Sequence, residues 1–375
     1  MSNEKKAFLL TLLPILCLGF SIPAQPVAAE QTDATSIQVK PFRGKADVHT
    51  VMQDIYLTGG TKTVTKLANG WTSISIPDPI YFEWEGAGSI SDVSYTLNVS
   101  ESPAMTNPWI YQTKETRLGV YNLKIDTRYY YQVMVGEGDD AYASSVASFT
   151  TTAVPLRNLF IEGVENVRDI GGWVNREGNE RIKQGKIYRS AQLDHAENGV
   201  SKTLITKNGK KEMRRLGIKT HIDLREDVEA NQNGVSVLGS EVNYYHIPMK
   251  TVWDSTMISQ NAASIKQVFD VLANPDAYPI VYQCTNGADC TGMLSFLLEG
   301  MLGVSEGDMA RDYLFSNFSY LPGSRSRIGF DNYLVAGVQK YSGVNITQKV
   351  IRCLRDIGIS SSTLNAVYLN LMEGI

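Results

Sequence analysis

The residues with the clearest chemical potential form one short stretch, Cys284–Gly292 (Cys-Thr-Asn-Gly-Ala-Asp-Cys-Thr-Gly). It follows an apolar run, Tyr278–Tyr282, and precedes another, Met293–Leu302, so it predicts a loop between a buried strand and a helix. The positive potential of a helix N-terminus lowers the pKa of such a thiol, and the loop amides form an anion site. Gly287 and Gly292 permit the tight turn. The pattern indicates a nucleophilic cysteine beside a bound oxyanion such as a phosphate monoester.

Further motifs follow the order found in a known family. They are Asn166–Trp173 (Asn-Val-Arg-Asp-Ile-Gly-Gly-Trp), Tyr188–Leu193, Ile222–Glu229 and Asp312–Asn317. Together with the cysteine loop they resemble the cysteine-dependent protein tyrosine and dual-specificity phosphatases, and most closely the bacterial tyrosine/serine phosphatase-like branch. The resemblance implies an α/β cysteine-phosphatase fold, with a central, mainly parallel sheet flanked by helices. It also implies a phosphorylated protein or a small phosphoester as substrate.

The resemblance assigns roles within the loop. Cys284 is the nucleophile, and the hydroxyl of Thr291 tunes the thiolate and its release. The phosphate cradle comprises Thr285, Asn286, Gly287, Ala288, Asp289 and Cys290. Relatives that prefer phosphoinositides carry lysine where this chain has Ala288, so a lipid head-group substrate is not supported.

Two departures from the family pattern bear on activity. Gln283 replaces the histidine before the nucleophile, and Cys290 replaces the arginine that clamps two phosphoryl oxygens. Losing one oxyanion donor costs about 3–4 kcal/mol, and an arginine on a transferring phosphoryl group is worth about 10³–10⁵ in rate. Two functions therefore remain open. One is a weakened phosphatase that works through a cysteinyl-phosphate, and the other is a catalytically dead pseudophosphatase that binds an anion or a partner.

Other side chains are candidates for the missing functions. Arg168, Arg189 and Arg225 lie in the remaining motifs, and each is expected either to reach the phosphate or to brace the loop. The general acid is expected to be Asp289, at a loop position that some relatives use, or Asp254, on a segment suited to a movable loop. A capping or solvated carboxylate is the alternative for both aspartates.

Cysteine chemistry allows two alternatives. Cys284 and Cys290 share a loop, so they can oxidise to a disulfide outside a reducing cytosol. A zinc site that combines them with His246 or His221 has unsuitable spacing. We therefore predict no metal and no cofactor.

The N-terminus has the features of an export signal. Residues 1–29 contain a short apolar run, Ala7–Ile22, followed by small residues at Val27–Ala29, which predicts a signal peptide and a periplasmic or extracellular protein. The alternative is a membrane anchor, but the run is short and Pro14 interrupts it. Residues 30–47 are predicted to be a loose leader. We expect no membrane span after signal cleavage, and the net charge of −4 does not favour nucleic acid.

Residues 48–152 show the pattern of an all-β sandwich. The predicted strands are Thr72–Pro77, Ile80–Trp84, Val93–Val99 and Tyr129–Val135. Trp84, the run Leu123–Val133 and the closing Ala147–Thr151 resemble a fibronectin type III or other immunoglobulin-like module. Such a module serves as a spacer or contacts a protein or a glycan.

Residues 156–375 change to alternating strands and helices, which predicts an α/β domain. Ile218–Leu224 and Tyr278–Tyr282 are predicted buried strands, and Met293–Leu302 is apolar on all sides, as in a central helix. A closing amphipathic helix is predicted from the spacing of Leu364, Val367, Tyr368 and Leu371.

Overall fold

The computed structural model describes residues 37–59, 64–86, 93–136, 142–197, 200–227, 229–230 and 234–375. An N-terminal region of antiparallel sheets precedes a C-terminal α/β domain, which confirms the predicted fold class. The predicted signal peptide lies outside the described residues. Among the helices that are described, none combines the length and the apolar composition needed to cross a bilayer.

Two antiparallel sheets build the N-terminal region. Their strands are β1 (Gln38–Val39), β2 (Ile80–Glu85), β3 (Tyr95–Ser100), β4 (Trp109–Thr113), β5 (Arg117–Val120), β6 (Arg128–Val135), β7 (Tyr142–Ala143) and β8 (Ala147–Thr150). One sheet has the order β1-β2-β5 and the other β4-β3-β6-β7, with β8 also paired to β6. The alternation predicted for Tyr129–Val135 is confirmed, because every second residue of β6 is buried in the shared core. β1 falls within residues 30–47, the predicted loose leader, and pairs with β2 in the first sheet.

The segment between β1 and β2 differs from the strand prediction. It holds two helices, α1 (Val51–Thr58) and α2 (Val64–Leu67), and the strand predicted at Thr72–Pro77 is wrong because those residues pair with no strand. α1 packs against the α/β domain, where the buried Tyr56 donates its hydroxyl hydrogen to the carbonyl oxygen of Arg311 at 2.6 Å. This segment is therefore continuous with the core of the α/β domain.

The α/β domain contains the remaining elements. Its strands are β9 (Arg157–Asn158), β10 (Arg168–Asp169), β11 (Glu180–Ile182), β12 (Ile187–Ser190), β13 (Asp194–Glu197), β14 (Val200–Thr203), β15 (Thr220–Asp223), β16 (Asn243–His246), β17 (Ile280–Gln283) and β18 (Met372–Gly374). Its α-helices are α3 (Lys207–Arg215), α4 (Met257–Gln260), α5 (Ala262–Leu272), α6 (Cys290–Met301), α7 (Glu306–Phe315), α8 (Arg327–Phe330), α9 (Ala336–Gln339), α10 (Ile346–Asp356) and α11 (Ser361–Leu371).

The central sheet has the order β16-β15-β17-β12-β10-β9. Neighbours from β16 to β12 are parallel, and β10 and β9 add antiparallel pairings at one edge. The sheet is thus mainly parallel, as predicted. α6 is buried along its whole length, which confirms the central helix, and Leu364, Val367 and Leu371 form the buried side of α11.

The connection between the two regions is held by a buried arginine. Arg157 donates hydrogen bonds to the carbonyl oxygens of Asn122 and Leu123, which lie just before β6. Its Nη1 also lies 2.7 Å from Oδ2 of Asp169 in β10. Because a buried charge is costly unless it is paired, these bonds fix the sandwich against the α/β sheet.

Candidate active site

The cysteine loop lies at the centre of the sheet edge where ligands usually bind. β17 runs between β15 and β12, and its loop, residues 284–289, leads directly into α6. The carboxyl ends of the parallel strands meet there, which is the usual binding edge of an α/β sheet. A pocket of about 400 Å³ opens at this edge. It is lined by Leu224, Arg225, Glu226, Glu229, Met249, Thr251, Trp253, Cys284, Thr285, Asn286, Asp289, Cys290, Pro322 and Arg325.

Cys284 is at the base of this pocket, with only 6% of its surface exposed. The backbone N–H groups of residues 285–290 donate no hydrogen bond within the described residues. Asp289 is the N-cap residue of α6, and its side chain does not cap the helix. Free loop amides and an uncapped helix N-terminus are the features of an anion site.

The underside of the loop is held by hydrogen bonds. Asn166 Nδ2 donates to the carbonyl oxygens of Asn286 and Gly287 at 3.1 and 3.0 Å, and Arg189 Nη2 donates to that of Gly287 at 2.8 Å. Gly287 has φ 63°, and a Cβ there would lie 2.5 Å from the backbone nitrogen of Ala191. Only glycine fits this position without displacing the backbone.

Arg168 and Arg189 are fully buried and share one carboxylate. Arg168 Nε lies 2.8 Å from Oδ1 of Asp312, and Arg189 bonds its Oδ2. Burial opposes the charge of Asp312, but the two guanidinium groups hold its pKa below the ordinary value. Neither arginine lines the pocket. The structure therefore places both beneath the loop, where they brace it.

Arg225 lines the pocket but is already engaged. Its Nη2 lies 2.6 Å from Oδ2 of Asp223 and 2.7 Å from Oδ1 of Asp194. Burial disfavours its charge, yet the hydrogen bonds with Asp223 raise the pKa of Arg225. Two buried carboxylates thus neutralise this guanidinium, and the bracing role considered for it accounts for its position.

Arg325, which the sequence reasoning missed, brings a cation into the pocket from a distant loop. Its Nε and Nη2 lie 2.6 Å from Oδ1 and Oδ2 of Asp289, respectively. Its charge also interacts with the Cys284 thiol, and pairing with Asp289 raises the pKa of Arg325 against the effect of burial. Asn317 holds the Arg325 backbone through two hydrogen bonds. The guanidinium carbon of Arg325 lies 5.3 Å from the Trp253 ring centroid. No motif in the sequence marks this arginine.

Cys290, at the position where the family resemblance predicts an arginine, is a buried residue of the pocket wall. Its Sγ lies 3.4 Å from Thr251 Oγ1 and 3.5 Å from the carbonyl oxygen of Met249. Burial, and then the neighbouring Cys284, raise the pKa of the Cys290 thiol. Cys284, Cys290 and Cys353 are all free thiols, so the disulfide alternative is not the state described by the structure.

Gln283, at the position where the family resemblance predicts a histidine, braces the backbone. Gln283 is buried, and its Oε1 accepts a hydrogen bond from the backbone nitrogen of Leu193 at 2.6 Å. Thr291 is buried at the start of α6, and its hydroxyl has no hydrogen-bond partner among the described residues. That hydroxyl is free for the role that the family resemblance implies.

The two candidate acids differ in position. Asp254 accepts hydrogen bonds from Thr256 N at 2.7 Å and from Thr256 Oγ1 at 2.5 Å, and these bonds lower the pKa of Asp254. It does not line the pocket, although its neighbour Trp253 does. A lowered pKa is the wrong direction for a general acid. Asp289 lines the pocket and is paired with Arg325.

Two glutamates of the pocket had no predicted role, and two histidines had been considered as metal ligands. Glu226 and Glu229 line it, and Glu229 Oε2 accepts a hydrogen bond from Thr285 Oγ1 at 2.8 Å. His221 contacts Ser236 at 3.1 Å through Nδ1, and His246 lies 2.9 Å from the Arg225 carbonyl oxygen through Nε2. Within the described ranges, neither histidine forms a metal-type cluster with the loop cysteines.

Comparisons with known proteins agree with the site. Residues 159–332 match the tyrosine phosphatase family. A Cupriavidus necator protein with the provisional name tyrosine-protein phosphatase is 24% identical over 183 residues, which cover 43% of this chain and 63% of that protein.

Two solved structures are similar. The catalytic core of the S. cerevisiae PP-IP phosphatase Siw14 has a TM-score of 0.30 and 16% identity, covering 40% of this chain and 82% of that chain. P. aeruginosa TpbA also has a TM-score of 0.30 and 16% identity, and the match covers 46% of this chain and 86% of that chain. The N-terminal region lies outside the family match, so its fibronectin-like character stays a prediction.

Proposed function

Since residues 159–332 match the tyrosine phosphatase family, we propose that this protein hydrolyses aryl phosphate monoesters through a cysteinyl-phosphate at Cys284. The observation that supports the proposal best is the position of Arg325. It lines the same pocket as Cys284 and supplies a guanidinium that the loop 284–290 lacks. A pocket with a thiol, loop amides and a guanidinium from another segment has the parts that phosphoryl transfer requires.

The reaction has two steps. The Cys284 thiolate attacks phosphorus, a sulfur–phosphorus bond forms, and the bond from phosphorus to the leaving oxygen breaks. Water then attacks phosphorus, the sulfur–phosphorus bond breaks, and inorganic phosphate leaves with the thiolate restored. The free N–H groups of residues 285–290 bind the phosphoryl oxygens in both steps.

Arg325 is proposed to balance the charge that develops on those oxygens. In the free protein, the carboxylate of Asp289 accepts hydrogen bonds from both Nε and Nη2 of Arg325. A planar guanidinium can donate two parallel hydrogen bonds to the oxygens of a phosphoryl group, as it does to a carboxylate. We therefore assign Asp289 the role of presenting Arg325 to the pocket, and a bound phosphate competes with Asp289 for it.

The substrate is proposed to be an aryl ester such as phosphotyrosine. Trp253 lines the pocket with 53% of its surface exposed, which offers a flat face to an aromatic ring. A phenolate leaves with less protonation than an alkoxide, which suits a site where Asp289 is paired and Asp254 lies apart. Phosphoserine-type esters should accordingly react more slowly.

The protein is proposed to act after export. The signal-like residues 1–29 support a periplasmic or extracellular location. The N-terminal sandwich is proposed to contact a protein or a glycan near the substrate.

Hydrolysis of 4-nitrophenyl phosphate by the purified protein tests the activity. We expect turnover by the parent protein, its loss in Cys284→Ser, and its retention in Cys353→Ser, which removes a buried thiol outside the pocket. Acid quenching followed by mass spectrometry should find the phosphate on Cys284. Equal rates for the parent protein and Cys284→Ser would overturn the proposed reaction.

The second candidate function is a pseudophosphatase that binds a phosphorylated partner without turnover. Glu226 and Glu229 place negative charge at the pocket, and Asp289 already occupies the guanidinium of Arg325. Both features oppose rapid hydrolysis of a doubly charged phosphate ester. Binding of inorganic phosphate or vanadate, measured by calorimetry, together with no hydrolysis would select this candidate. Loss of that binding in Arg325→Met would locate it in the pocket.

A further inference from the structure

Three side chains near the connection between the two regions converge on one point, far along the chain from the cysteine loop. His49 Nδ1 lies 3.4 Å from Oδ1 of Asp47 and 3.5 Å from Oδ1 of Asp54. All three ligand-type atoms lie within 4.8 Å of one another. The cluster is independent of the proposed phosphatase function.

The histidine at its centre is buried and lacks a partner on the side that faces the aspartates. Only 3% of the His49 surface is exposed, and its Nδ1 has no hydrogen-bond partner among the described residues. The same is true of Asp54 Oδ1. Nε2 of His49 lies 2.6 Å from the Leu156 carbonyl oxygen. Since a carbonyl only accepts, Nε2 carries the hydrogen, and in the neutral ring Nδ1 presents its lone pair to the two carboxylates.

A lone pair facing two carboxylates is unfavourable unless a positive charge lies between them. Either a proton is shared among these groups, on Nδ1 or on a carboxyl group, or a cation is bound. The distances fit a cation, because ligands about 2.1 Å from a tetrahedral ion lie about 3.4 Å apart. A hydrogen bond from an imidazolium to a carboxylate would be shorter, at about 2.7–2.9 Å.

We propose that Asp47, His49 and Asp54 bind a zinc-type divalent cation, with its remaining position open to water. One imidazole nitrogen and two carboxylate oxygens suit zinc better than calcium or magnesium, which prefer all-oxygen ligands. The Nε2 bond to Leu156 provides the outer contact that orients a metal-binding histidine. Asp47 and Asp54 keep 38% and 32% of their side chains exposed, so an ion can enter.

The position of this site indicates a structural role. Asp47 also accepts a hydrogen bond from Thr152 Oγ1 at 3.2 Å, at the end of the sandwich. Leu156 begins the α/β domain, and Asp54 belongs to α1, which packs on that domain. A bound ion therefore fastens α1 to the connection between the two regions.

The test uses the full chain, stripped of metal with a chelator and titrated with zinc chloride. We expect one equivalent to bind at this site and to raise the thermal midpoint by about 5 °C at a hundredfold excess over Kd. Asp54→Asn should weaken that binding by at least about 100-fold. Asp78→Asn, an exposed aspartate outside the cluster, should bind like the parent protein.

Cobalt titration separates this site from the thiols. Cobalt at the cluster gives weak visible bands, whereas binding to Cys284 or Cys290 adds strong thiolate charge-transfer absorption in the near ultraviolet. The proposal is supported if the parent protein shows the weak visible bands without thiolate absorption, and if Asp54→Asn does not show those visible bands. Equal zinc binding by the parent protein and Asp54→Asn, or no binding by either, would overturn it and leave His49 as a protonated partner of the two aspartates.

Discussion

The two faces of the loop 284–290 differ sharply. Beneath it, Asn166, Arg168, Arg189 and Asp312 form a closed network in which each guanidinium meets a carboxylate or a loop carbonyl. Above it, the backbone N–H groups donate no hydrogen bond among the described residues, and two ion-paired guanidinium groups, those of Arg225 and Arg325, line the pocket. The lower network pairs both buried arginines with carboxylate or carbonyl oxygens, whereas the upper side carries Cys290 where the family resemblance predicts an arginine. Shape and chemistry are therefore carried by separate sets of residues, and each set can be altered alone.

The largest effect is expected from the lower face. Asp312→Asn removes the carboxylate shared by Arg168 and Arg189 and leaves two buried cations short of a partner. Breaking such a buried pair costs about 3–5 kcal/mol of folding free energy. Urea unfolding should show this loss, whereas Asp270→Asn, in an exposed pair with Lys266, should change the free energy by less than about 0.5 kcal/mol. Similar values for the two variants would contradict the division between the faces.

The upper face should respond in the rate of hydrolysis. Arg325→Met is expected to lower kcat/KM for 4-nitrophenyl phosphate by about 10²–10³-fold, because one oxyanion donor is lost. Arg327→Met is the matched control, since that arginine lies close in sequence but pairs with Glu306 and Asp331. Adding Cys290→Arg to the Arg325→Met variant should recover part of the rate by restoring the family arginine. An unchanged rate in Arg325→Met would separate Arg325 from the reaction.

Gly287 belongs to both faces, and a second glycine isolates its steric role. Gly287 and Gly178 have φ values of 63° and 75°, but an added Cβ meets nothing within 4 Å at Gly178. Alanine at Gly178 should cost about 1 kcal/mol for the left-handed backbone alone. Alanine at Gly287 should cost about 1–3 kcal/mol more, because the loop must move away from β12. Denaturant unfolding of both variants measures the difference, and equal losses would show that the loop tolerates the added volume.

The smallest effect is expected in the acid dependence of the free energy of unfolding. The folded-state pKa of Asp312 lies below its ordinary value of 3.8, so the stability it provides is present above about pH 4. That stability is lost as the pH falls through the folded-state pKa. One proton contributes at most about 1.4 kcal/mol per pH unit. The free energy of unfolding should thus fall less steeply with acid in Asp312→Asn than in the parent protein, and parallel curves would argue against a depressed pKa.

The sequence predicted those parts of the protein in which a local pattern decides the structure. Alternation placed the core side of β6, because successive strand residues face opposite sides. The cysteine loop was located because its strand, glycines and helix are contiguous in the chain. α1 was missed, although the capping box of Thr50 and Gln53 signals its start. The false strand at Thr72–Pro77 has the right alternation, but Gln53 Nε2 donates to the carbonyl oxygens of Ile74 and Ile76 in place of a neighbouring strand.

Contacts between distant segments could not be predicted in the same way. Arg325 lies in a Gly- and Ser-containing loop, and nothing in its neighbourhood distinguishes it from a surface arginine. Its position depends on Asn317 and Asp289, which only the folded chain brings together. Arg168 and Arg189 were recognised as important, but whether they faced the ligand or the protein depended on Asp312.

The buried Arg157 has a mechanical consequence. By holding the carbonyl oxygens of Asn122 and Leu123 on one side and Asp169 on the other, it prevents the two regions from hinging about their connection. If the sandwich contacts a partner as proposed, the pocket that holds Cys284 would then lie at a fixed distance and angle from that partner. Only phosphorylated groups at that distance could enter the pocket.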